Sequence, residues 1–166
     1  MIDRSGIEKN LQKIDRLYVG TSSAQEGLLY SKLAILELCG WIESSMDSIV
    51  LSISKQLVKD SKHLKYFEEE VVEKVYGFEY EKHFRRIVIA LVGLHGVESM
   101  EKKVNPRVFA PMCASLNALK PNRDKLAHGY IKGTTPHLDA PSVTLARCHT
   151  VHAGLVDIEG VLKAMK

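Results

Sequence analysis

The sequence predicts an all-α fold, an antiparallel helical bundle with one long central helix. Three observations carry this. Apolar residues recur at steps of three and four along most of the chain, the spacing that lines one face of a helix. The apolar–polar alternation of a half-buried strand is almost absent. One stripe, Ile35, Leu38, Ile42, Met46, Ile49, Ile53 and Leu57, keeps its register for about six turns, which makes it the spine of a bundle.

The elements follow in chain order. Ile7, Leu11, Ile14 and Leu17 form an opening stripe, punctuated by Gly20 and Thr21-Ser22-Ser23. The long stripe predicts a helix over residues 26–60. Leu64, Phe67, Val71 and Val75 predict a third helix ending near Gly77, and Phe84, Ile87, Leu91 and Leu94 a fourth. Asn105-Pro106 marks a turn. Met112, Leu116 and Leu119 carry a fifth helix, with Pro111 in or just before its first turn, where no intrahelical N–H is lost. Pro121 then predicts a break, with Asn122 as N-cap of a short helix from Arg123 and Gly129 as its left-handed terminator. Residues 132–142, with Gly133, Pro136 and Pro141, read as a loop, and the short Val143-Thr144-Leu145 as a weak candidate for extended backbone. Cys148, His152, Leu155, Ile158, Leu162 and Met165 predict the last helix.

Composition bounds the function. A chain of 166 residues is expected to form a single domain, because two would each have a marginal core. A formal charge of +3 permits nucleic acid as a partner without indicating it. With aromatic residues at 7%, an extended base-stacking surface is disfavoured. No apolar run approaches the roughly 20 residues of a membrane span, and the N-terminus lacks a signal-peptide core. The expected setting is therefore the cytoplasm. Cys39, Cys113 and Cys148 show no paired spacing and read as reduced, buried thiols.

One segment departs from core logic. Asn122-Arg123-Asp124-Lys125-Leu126-Ala127-His128-Gly129 sets four charged or chargeable side chains beside a turn. Arg123 and His128 are five positions apart, about 140° around a regular helix, so one copy does not place them on a common stripe. Histidine titrates near neutrality and suits proton transfer. Arginine offers a fixed charge and a planar donor set that matches phosphate oxygens.

This segment, with Arg followed by Asp and then by Ala-His-Gly, resembles the signature of the HEPN ribonuclease superfamily, an Arg and a His with four to six residues between them in a helical domain. The resemblance implies metal-independent RNA cleavage, in which a ribose 2′-hydroxyl attacks the adjacent phosphate and expels the 5′-oxygen, leaving a 2′,3′-cyclic phosphate and a 5′-hydroxyl. It implies His128 as general acid/base, Arg123 as transition-state stabiliser, and Asp124 as the group that orients or tunes one of them. Asn122 and Lys125 are expected to contribute to binding. No metal or cofactor is implied. A homodimer is implied, because facing copies complete one cleft, and so is a role as a toxin or defence effector. Tyr130 extends the motif to Arg-x4-His-x-Tyr, the form seen in toxins paired with a nucleotidyltransferase antitoxin that modifies the tyrosine; packing at a helix exit is its plainer role. The alternative function is a catalytically inactive HEPN-like binding or scaffold protein.

Other polar residues have plainer readings. Cys148, His149 and His152 lack a placed fourth ligand for zinc. Glu37, Glu43 and Asp47 on the long helix are candidates to supply an acid to the cleft, though a solvated or interface face is the plainer role. Lys82, Arg85 and Arg86 form a basic cluster of the kind that tracks an RNA backbone, though a solvated helix face is the plainer explanation.

Overall fold

The computed structural model describes residues 1–131 and 137–165. Six α-helices follow one another: α1 (Ser5–Gly20), α2 (Ala24–Leu57), α3 (Ser61–Tyr66), α4 (Arg85–Lys103), α5 (Pro106–His128) and α6 (Pro141–Ala164). Two π-helical segments, Phe67–Val72 and Tyr80–Phe84, lie between α3 and α4. There is no strand among the described residues. No helix there is long and apolar enough to cross a membrane.

Helix directions can be read from single contacts. Along α1 and α2, Trp41 Nε1 donates to the Asp3 carbonyl, Asn10 donates to Glu37, and Gly27 packs on Tyr18. These pairs rise on one helix while falling on the other, so α1 and α2 are antiparallel. Glu43–Arg123 and Lys32–Gly129 give the same relation for α2 and α5. Glu8–His149 and Ile2–Glu159 give it for α1 and α6. The two central helices, α2 and α6, therefore run parallel, with α1 and α5 flanking them in the opposite sense. The core is one cluster: Ile35, Leu38, Ile42 and Met46 of α2 meet Met112, Leu116 and Leu119 of α5 and Val151, Leu155 and Ile158 of α6. Gly154 lets α6 approach α5, since a Cβ there would sit 2.6 Å from Met112 Cβ.

The long helix is placed as its stripe predicts, and Ser23 caps it by accepting from the Glu26 amide. Four details differ from the sequence reading. The third stripe does not continue as an α-helix. It widens into the π-helical segment Phe67–Val72, whose two buried residues lie five apart, as a wider coil requires. The fourth stripe is broken at Gly93, whose φ of 74° and ψ of 171° turn the chain out of helical geometry. Leu94 is thereby exposed, and Gly96, Val97 and Met100 bury instead.

The third and largest difference is α5. It begins at Pro106, capped by Asn105, and runs without interruption to His128 through both Pro111 and Pro121. Pro111 thus lies beyond the first turn, and Asn122 is an interior helical residue that caps nothing. Each proline removes one helical hydrogen bond. Both sit on the exposed side, where water can satisfy the freed carbonyls, while Met112, Leu116, Leu119 and Leu126 anchor the opposite side. Gly129 is also not left-handed: its φ of −118° and ψ of 156° are extended backbone. Fourth, Val143-Thr144-Leu145 is helical, in the first turn of α6 after Pro141. Of the predicted loop, Gly133 and Pro136 lie outside the described residues.

Candidate functional site

The motif occupies the last turns of α5. Leu126 is buried and sets the rotation of this end; Arg123 and Asp124 are then half-buried, and Lys125 and His128 face solvent. Because the helix is unbroken, the angular offset holds. Arg123 and His128 lie about 140° apart, whereas Asp124 is one turn before His128 on nearly the same stripe. Lys120, Asp124 and His128 are successive members of that stripe. The single chain does not bring Arg123 and His128 together.

What it does bring together is Arg123 and α2. The Arg123 Nη2 donates to Glu43 Oε1 at 2.8 Å, and Nη1 donates to Asp124 Oδ1 at 3.3 Å. Side-chain exposure is 27% for Arg123 and 30% for Glu43, so water screens this pair only in part. Asp124 also receives Lys120 Nζ at 2.5 Å. Lys120 first, and Arg123 after it, hold the Asp124 carboxyl below its usual range. Two cations and two anions therefore alternate as Lys120, Asp124, Arg123, Glu43, with no net charge. The motif is less basic in place than its letters suggest; Lys125 supplies the uncompensated charge beside it among the described residues.

Beneath the pair lies Cys39, one turn before Glu43 on α2. Burial, and then the Glu43 charge, push its thiol up to about 12. It is a packed thiol with no thiolate character near neutrality. One turn beyond Glu43 is Asp47. Burial first, and the Glu43 charge second, push its carboxyl up to about 6. Glu43 and Asp47 form one wall of a 330 Å³ pocket closed by Val72, Glu73 and Tyr76. Gly77 (φ 123°) ends that wall, where a Cβ would lie 2.7 Å from the His83 ring. A larger pocket of 550 Å³ at the α1–α2 turn contains none of the motif residues.

The end of α5 is held by a residue that sequence reasoning missed. Lys32 of α2 donates to the Gly129 carbonyl at 2.7 Å, a cation placed at a helix C-terminus. It fixes the exit that carries His128 and Tyr130. Among the described residues the His128 ring makes no hydrogen bond, and Tyr130 is 79% exposed, so packing at the helix exit does not account for Tyr130. Asn122 is half-buried.

The other candidates disperse. Glu37 faces α1 and accepts from Asn10. His149 pairs with Glu8 on α1, and His152 meets the Ile2 carbonyl. Of the basic cluster, Arg85 is bound to Glu101 at 2.8 Å and Lys82 to Glu79 at 3.1 Å; Arg86 alone of the three is exposed without an ion pair among the described residues. Cys113 is half-buried rather than buried.

These features define an all-α bundle whose α5 terminus carries a tethered arginine and, about one and a half turns on, a histidine with no hydrogen-bond partner among the described residues. Comparison with family models, curated proteins and solved structures finds no match to this chain.

Proposed function

We propose that the protein is a metal-independent endoribonuclease of the HEPN type, with His128 as general acid/base and Arg123 as the stabiliser of the phosphoryl transition state. The observation that carries the reading is the α5 terminus. His128 stands in solvent with its ring uncommitted among the described residues, and a half-buried Arg123 with its guanidinium oriented lies within two turns. An exposed imidazole can exchange protons with a 2′-hydroxyl and with water. An oriented guanidinium is organised before charge develops on the phosphate. Asp124 then serves Arg123 and Lys120 rather than His128. Lys125 would contact the RNA backbone, with Asn122 beside it.

The 140° separation favours a two-fold dimer, in which Arg123 of one copy serves His128 of the other. A role as a toxin or defence effector, restrained by a nucleotidyltransferase-type antitoxin acting on Tyr130, extends the same reading. The exposed Tyr130 hydroxyl is compatible with such a modification.

One observation favours the second reading, a non-catalytic helical binding protein. Arg123 is already paired with two carboxylates, as it would be if it only tied α5 to α2. Incubation of purified protein with RNA in EDTA separates the two. Wild type should give fragments ending in 2′,3′-cyclic phosphate, with His128→Ala and Arg123→Ala each slower by about 100-fold or more. Intact RNA with wild type, or equal cleavage by His128→Ala, rejects the enzyme.

A further inference from the structure

The sequence offers Glu43 only as one of three candidate acids on the long helix, and nothing in it pairs that residue with Arg123, 80 positions away. We propose that Glu43 is a positioning residue for Arg123, holding the guanidinium so that its remaining donors face a bound phosphate. This rests on the ribonuclease reading above.

The geometry supports it in three ways. Glu43 is anchored rigidly, because its α2 neighbours Ile42 and Met46 are 0% and 2% exposed. It binds Nη2, while Asp124, itself held by Lys120, binds Nη1. The guanidinium is thus gripped by carboxylates from two helices and cannot rotate about its last torsion without losing one of them. An arginine carries five N–H donors. Two are used here, and Nε–H donates to no acceptor among the described residues. A planar ion with two donors fixed and others free is pre-set to receive an anion.

An arginine released from Glu43 would sample other rotamers and meet the transition state less often. The loss should fall mainly on kcat, since the extra phosphate charge arises only in the transition state.

The test is steady-state cleavage of a single RNA oligonucleotide by wild type, Glu43→Ala, Glu43→Gln and Glu37→Ala, with melting curves for each. Glutamine keeps an acceptor oxygen at the same reach. Glu37 is an acid on the same helix that bonds Asn10 instead. Glu43→Ala should lower kcat by about ten-fold or more, with KM changed less than about three-fold, at a temperature where the variant is fully folded. Glu43→Gln should recover kcat to within about three-fold of wild type, and Glu37→Ala should match wild type. The positioning role is overturned if wild type is active and Glu43→Ala cleaves equally fast or faster, or if Glu43→Gln is as impaired as Glu43→Ala. A wild type that leaves RNA intact overturns the enzyme reading itself, and the positioning role falls with it.

Discussion

Replacing Asp47 by asparagine should make this protein more stable above neutral pH and leave it unchanged in acid. The Asp47 carboxyl is pushed up to about 6 by burial and by the charge of Glu43. The ordinary value is about 3.9. Below about pH 4 the group is protonated in both folded and unfolded chains, so it costs nothing. As pH rises from about 4 to 6, the unfolded chain releases the proton and the folded chain retains it. Stability falls throughout that window, and above it the full penalty remains. A gap of about two pH units corresponds to about 3 kcal/mol at about 1.4 kcal/mol each. Asp47 is only partly buried, and water reaching it lowers the figure to about 1–2 kcal/mol. Asparagine has nearly the same shape and carries no charge to desolvate. For a chain of this length each kcal/mol moves Tm by about 2–4 °C, so Asp47→Asn should melt about 2–8 °C higher at about pH 8 and coincide with wild type near pH 4. Thermal melts followed by circular dichroism across this range decide it. A lower Tm for the variant at high pH, or a difference that does not change with pH, would refute the reasoning.

Two further perturbations test the fold. Gly93 occupies a region of φ and ψ open essentially only to glycine, and a Cβ there would touch nothing. Gly93→Ala should therefore cost about 1–3 kcal/mol from backbone strain alone, read as a lower urea midpoint with an unchanged slope. Glu101 accepts from Arg85 and Tyr80, each at 2.8 Å. The Arg85 bond is the first cause holding its carboxyl below the usual range. Its contribution is therefore complete above the unfolded value and lost as pH falls through the folded one. Glu101→Gln should be destabilised by about 1 kcal/mol near neutrality and should flatten the acid limb of the stability curve; an acid limb equal to that of wild type counts against the pair.

Legibility differed between elements for physical reasons. The α2 stripe was readable because a continuous 3.6-residue repeat has one folded solution, and nothing in it breaks the backbone. The break expected at Pro121 did not occur, because local preference competes with burial. A proline that faces water loses one hydrogen bond, whereas a break would disturb the register that buries Leu116, Leu119 and Leu126. The stripe through Leu94 failed for the opposite reason. One glycine in a special conformation rotated everything after it, and periodicity carries no sign of backbone dihedrals. Phe67 and Val72 lie on a π-helical coil that a 3.6-residue template does not contain.

The site divides in the same way. Arg123, Asp124 and His128 stand out in the sequence because four chargeable side chains crowd one helix end, and neighbours in sequence need no fold to be near one another. Their angular offset is also a property of the helix alone. The tether from Glu43, the Lys32 contact at Gly129 and the raised proton affinity of Asp47 were invisible. The first two depend on α2 and α5 running antiparallel at one particular rotation, and the third on the segment from Val72 to Gly77 that packs beside Asp47. By itself the sequence determined which residues could carry charge and protons at the end of α5, since those are properties of side-chain type and helical spacing. Only the tertiary structure decided that the motif arginine is neutralised and oriented by a second helix while the histidine has no partner among the described residues, because ion pairs between helices are set by packing register, which the core fixes from the other side.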